Sequence, residues 1–77
     1  MEKVYLRRVG EISPFGYGDG GGAQFAIVKE DGTELTTHYC SSPNWARRDL
    51  MEQYHLDEVA ALCPDGFEVV DALNDES

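Results

Sequence analysis

Ala23-Gln24-Phe25-Ala26-Ile27-Val28-Lys29-Glu30-Asp31-Gly32-Thr33-Glu34-Leu35-Thr36-Thr37-His38-Tyr39-Cys40 is the stretch on which the fold turns. β-branched and aromatic residues lie on both sides of Asp31-Gly32, a dipeptide suited to a tight turn. The pattern predicts a β-hairpin. Its first strand, Ala23 to Lys29, sets Phe25 and Ile27 on one face and Ala26 and Val28 on the other. Its second strand, Thr33 to Cys40, sets Leu35, Thr37 and Tyr39 on a shared face.

Toward the N-terminus, residues 3 to 12 read as another strand carrying Val4, Leu6, Val9 and Ile12. Val9 is out of phase with Val4 and Leu6, and Gly10 marks the expected bulge. Ser13-Pro14 breaks that run, and residues 15 to 22 form a glycine-rich loop. Toward the C-terminus, Ser41-Ser42-Pro43-Asn44 is a helix-start signature, with polar caps and a proline that the first turn tolerates. Trp45 to His55 has helical spacing, with Ala46, Leu50 and Tyr54 on one stripe and Trp45 and Met51 beside it. Asp57 reads as the cap of a short second helix that turns Leu56, Val59, Ala60 and Cys63 inward. Pro64-Asp65-Gly66 ends it, and Phe67 to Leu73 forms a last strand with Phe67, Val69 and Asp71 on one face. Residues 74 to 77 are a polar, acidic tail. The expected fold is α+β: a small antiparallel sheet of four strands with helices on one face, in the order β-β-β-α-α-β, as a single domain over residues 1–77.

A chain of 77 residues has room for one small core. Apolar residues at 42% and charged residues at 27% are ordinary globular usage, which argues against wholesale disorder. A multi-domain enzyme with its own cofactor fold does not fit this length. No apolar run approaches the roughly 20 residues of a membrane-spanning helix. Met1-Glu2-Lys3-Val4-Tyr5-Leu6-Arg7-Arg8 lacks the basic-then-apolar layout of a signal peptide, so the expected location is cytoplasmic.

Charge is distributed unevenly. Residues 1–48 hold all the bases (Lys3, Arg7, Arg8, Lys29, Arg47, Arg48) and an equal number of acids. Residues 49–77 hold Asp49, Glu52, Asp57, Glu58, Asp65, Glu68, Asp71, Asp75 and Glu76 with no Lys or Arg. The whole net charge of −9 therefore falls in the C-terminal part. That asymmetry repels DNA and anionic membranes and favours a basic partner. The plainer reading is that the acids keep the protein soluble.

Other chemistries find little support in the spacing. Gly16-Tyr17-Gly18-Asp19-Gly20-Gly21 begins like a phosphate loop. It lacks the following Lys-Ser/Thr and the helix N-terminus that would hold the anion. His38, Cys40, His55 and Cys63 are zinc-ligand types, but H-x-C-x14-H-x7-C contains no tight ligand pair of the usual C-x2–4-C or H-x3–5-H kind. No metal and no cofactor are expected. Cys40 with His38 or His55 lacks an evident orienting group and oxyanion site, so no enzyme activity is expected. Asp57 and Glu58 are adjacent on a helix and point apart, as a cap and a first-turn acid would.

A short, cysteine-poor, single-domain chain with concentrated acids resembles the small proteins with which phages disable host nucleic-acid machinery. Within that group it is most similar to the type I anti-CRISPR proteins and other DNA mimics. The resemblance is one of size, charge and sheet-helix plan, without a shared motif. It implies a stoichiometric inhibitor, monomeric or weakly dimeric, that binds no nucleic acid itself. Its carboxylates would occupy a basic DNA-binding surface of a host protein such as a CRISPR effector subunit, blocking DNA or protospacer-adjacent-motif recognition. The residues expected at that contact are Asp49, Glu52, Asp57, Glu58, Asp65, Glu68 and Asp71, with Tyr17, Trp45 and Tyr54 as aromatic anchors. The alternative is a small accessory or structural protein of a phage or bacterium whose acids only confer solubility.

Overall fold

The computed structural model describes residues 1–12 and 22–73. The elements are β1 (Glu2–Ile12), β2 (Gly22–Lys29), β3 (Glu34–Cys40), α1 (Pro43–Asp49), α2 (Gln53–Leu62) and β4 (Phe67–Asp71). They form a four-stranded sheet in the order β3-β2-β1-β4, with two helices, and the architecture is α+β. The expected glycine-rich loop, with Tyr17, lies outside the described residues except for Gly22, which begins β2, and the tail at 74–77 lies outside them too.

The β2–β3 hairpin closes as the Asp-Gly signal implies. Gly32 N–H donates to Lys29 C=O at 2.9 Å, and Lys29 N–H donates to Thr33 C=O at 2.9 Å. Gly32 adopts φ 94°, a left-handed conformation that glycine takes without a Cβ clash. The Asp31 carboxylate accepts the Thr33 N–H at 2.9 Å and locks the corner.

The sheet is mixed, which corrects the expectation of an antiparallel one. β1 runs antiparallel to β2, and β2 to β3, but β4 lies parallel to β1. A parallel neighbour needs a long crossover, and residues 41–66 with both helices supply it. They carry the chain from β3 at one edge to β4 at the other.

Two bulges set the faces. The β1–β2 register shifts between Arg8 and Gly10, where the out-of-phase Val9 placed it. A second shift, in β3, departs from the simple alternation of the sequence. Ile27 pairs with Thr36 but Val28 pairs with Glu34, so Leu35 is an extra residue. Leu35 and Thr36 are both buried as a result, and the strand beyond the bulge is out of phase with the simple alternation. Cys40 is buried and His38 half-buried, while Thr37 and Tyr39 are exposed. Leu35, Thr37 and Tyr39 therefore do not share a buried face. One inserted residue exchanged the sides of the strand.

The helices also divide differently. Ser42 caps α1, its Oγ accepting the Trp45 N–H at 3.4 Å, with Pro43 in the first turn. The helix ends at Asp49 rather than running to His55. Leu50, His55 and Val59 are all buried, and positions five apart lie on different sides of one helix. A break at 50–52 lets the sheet receive all three. Tyr54, on the Ala46–Leu50 stripe of an uninterrupted helix, is turned out and is 55% exposed. Asp57 is not a cap: Glu52 holds that position, and Asp57 lies within α2, where it accepts the Gln53 Nε2–H at 2.8 Å. Ala60 is exposed rather than inward. The core joins Val4, Leu6, Phe25 and Ile27 of the sheet to Ala46, Leu50, Val59 and Cys63, with Phe67 and Val69 packed against it.

Candidate functional site

The acids expected at one contact are dispersed over the molecule. Glu52, Asp57 and Glu58 are exposed on the helical layer, and Asp65 is exposed in the turn after α2. Glu68 alternates with Phe67 and Val69, which pack on the core, so it projects from the opposite face of the sheet. There it neighbours Lys3 of β1. Asp71 is engaged by Arg47, whose Nε donates to Asp71 Oδ2 at 2.6 Å, and it also accepts the Leu73 N–H at 2.9 Å. The Arg47 hydrogen bond, followed by the Leu73 N–H, holds its carboxyl below the usual range. Asp49 is half-buried and turned toward β3.

Two of the aromatic anchors are exposed where a partner could reach them. Trp45 and Tyr54 expose about half their surface, as do Leu62 and, a little less, Met51. Trp45 carries the Arg48 guanidinium 5.3 Å from its ring centre. Tyr54 lies over His55 with ring centres 3.9 Å apart. Glu52, Asp57 and Glu58 are interleaved with Met51 and Tyr54 in the segment 51–58, and this is where acid and apolar surface coincide.

A second cluster lies where β3 meets both helices, and the bulge at Leu35 creates it by turning Thr36, His38 and Cys40 to the helix side. Cys40 Sγ–H donates to Asp49 Oδ2 at 3.6 Å, and His38 Nε2 stands 3.4 Å from the same oxygen. The His55 ring stands edge-on to that of His38, with centres 5.4 Å apart. His55 Nδ1 shares a 2.6 Å hydrogen bond with Thr36 Oγ1, and both residues are buried. His55 Nε2 is buried without a hydrogen-bond partner in the structure. Burial, and then the neighbouring His38, lowers the His55 pKa, which keeps the ring neutral near pH 7.

This cluster is poorly suited to nucleophilic chemistry as it stands. Burial, reinforced by the Asp49 carboxylate, pushes the Cys40 thiol up to about 11, so it is a thiol rather than a thiolate at neutral pH. Cys63 is raised too, chiefly by burial. Both cysteines are free. Asp49, an acid that the sequence places with the surface carboxylates, instead serves the cluster. The signal was the i, i+2 pair His38 and Cys40 followed within a short turn by a helix whose end returns over the strand.

No helix among the described residues is long and apolar enough to cross a membrane. Comparison with protein-family models, with curated proteins and with solved structures finds no match for this chain.

Proposed function

We propose that the protein is a non-enzymatic binding protein whose helical layer docks on a basic, nucleic-acid-binding surface of another protein. The observation that carries this is the segment 51–58. It presents Glu52, Asp57 and Glu58 around exposed Met51 and Tyr54, in a stretch of sequence with no Lys or Arg after Arg48. Interfaces draw specificity and rapid association from charge complementarity, and affinity from desolvated aromatic anchors. Fixed carboxylates suit arginine, which they bind in bidentate fashion. Asp49, held by Cys40, and Asp71, held by Arg47, are left out of the docking surface.

On this reading the protein acts as the type I anti-CRISPR proteins do, occupying a groove that would otherwise hold DNA phosphates. The test is competition. A purified type I CRISPR effector complex is titrated onto labelled duplex target with and without the protein. The protein should displace the duplex, and its apparent affinity should fall steeply as salt rises. Tyr54→Ala should weaken displacement by on the order of tenfold or more, as loss of an interface aromatic does. A protein that leaves duplex binding untouched at low salt does not belong to this class of inhibitor.

A further inference from the structure

We propose that His38, Cys40 and Asp49 bind one zinc ion, a site that goes beyond the docking surface and does not depend on it. Their donor atoms all lie within 4.8 Å of one another. At metal–donor distances of about 2.0–2.3 Å, tetrahedral ligands stand roughly 3.3–3.7 Å apart. Two pairs fall in that interval: His38 Nε2 to Asp49 Oδ2 at 3.4 Å, and Cys40 Sγ to Asp49 Oδ2 at 3.6 Å. The Asp49 carboxylate is thus spaced from both other donors as the edges of a coordination tetrahedron require, and the third pair stands within 4.8 Å.

The donor set selects the metal. One thiolate, one imidazole and one carboxylate suit zinc and its surrogate cobalt, whereas magnesium and calcium take oxygen ligands. Binding breaks the Cys40 S–H bond, the sulfur keeps the electron pair, and the proton passes to solvent. The thiolate and the carboxylate then neutralise the dication, so a half-buried site carries no net charge. Access is open on one side, because the side chains of His38 and Asp49 retain 38% and 26% of their exposure. Water fills the remaining coordination position from that side. The chain contains two histidines, and the second, His55, stands beside the first with its unpartnered Nε2. Two histidines and a cysteine drawn from β3 and α2 converge here with an aspartate from α1. The sequence spacing points away from zinc because the ligands do not form a tight local pair and the third comes from the following helix.

Cobalt titration of the full, reduced, metal-free chain tests the site. Co2+ should bind one per chain, with a thiolate-to-cobalt charge-transfer band and intense visible bands of tetrahedral cobalt, and zinc should bleach both. Cys63→Ser should leave the spectrum unchanged, and Cys40→Ser should abolish the charge-transfer band. His38→Ala alters a half-exposed residue, and it and Asp49→Asn should each weaken zinc binding at least about tenfold. Circular dichroism confirms that each variant is folded. The proposal is overturned if folded protein develops no charge-transfer band with cobalt. It is equally overturned if the band depends on Cys63 rather than Cys40, or if neither His38→Ala nor Asp49→Asn weakens binding.

Discussion

Thr36 and His55 share a buried side-chain hydrogen bond of 2.6 Å. Thr36→Val keeps the shape but strips His55 Nδ1 of its partner, and with Nε2 already unpaired the ring would have none. Leaving a buried polar group unsatisfied costs about 1–3 kcal/mol, whereas removing both partners costs less than the sum. Urea unfolding of Thr36→Val, His55→Leu and the double variant should therefore show strong coupling between the two sites. Asp71 gives a pH-dependent counterpart. Its carboxyl is held low in the folded protein, so its stabilising effect is present above the unfolded value of about 3.9 and is lost as pH falls through the folded value. Asp71 is partly exposed, and Asp71→Asn, which keeps an acceptor for the Leu73 N–H, should cost about 0.5–1 kcal/mol at pH 7. Chemical denaturation at pH 7 and again well below pH 4 should show that difference shrinking in acid.

Turns and strand phase decide the elements. Gly32 and Gly10 both have open space around a would-be Cβ, but only Gly32 has a positive φ. Gly32→Ala should cost about 1–2 kcal/mol from backbone strain alone, while Gly10→Ala should be neutral or slightly stabilising. Matched denaturation curves separate the two. The hairpin, the Gly10 bulge and the start of α1 were legible in the sequence because each rests on local chemistry: Asp31-Gly32, an out-of-phase Val9, and Ser42-Pro43. The Leu35 bulge was not legible, since no glycine or proline marks it and its cause is tertiary. Burying Leu35 and Thr36 together satisfies the core and the His55 hydrogen bond at once. The break at 50–52 has the same origin, in the need to bury Leu50, His55 and Val59. The parallel pairing of β4 was hidden for a related reason: alternation within a strand is blind to its direction. The candidate site inherited these errors. The surface acids were visible in composition, but the phase of β3 determined that Asp49 would face His38 and Cys40.

At the scale of the molecule, a net charge of −9 concentrated after residue 48 makes mutual repulsion among the acids act against the compact state. Thermal unfolding should shift upward as sodium chloride rises from about 0.01 M to about 0.15 M, because the screening length falls from roughly 30 Å to 8 Å. A downward shift would mean that pairs such as Arg47–Asp71 and Lys29–Glu2 outweigh repulsion among the remaining acids. Docking by one face of the molecule is tested most directly by two variants of equal charge. Glu58→Lys changes the helical layer, and Glu68→Lys changes the opposite face of the sheet. In the duplex-displacement measurement, Glu58→Lys should weaken competition by on the order of tenfold, and Glu68→Lys should compete as the wild type does. Equal loss from both would make net charge rather than a surface the determinant, and no loss from either would leave the acids as solubilising groups alone.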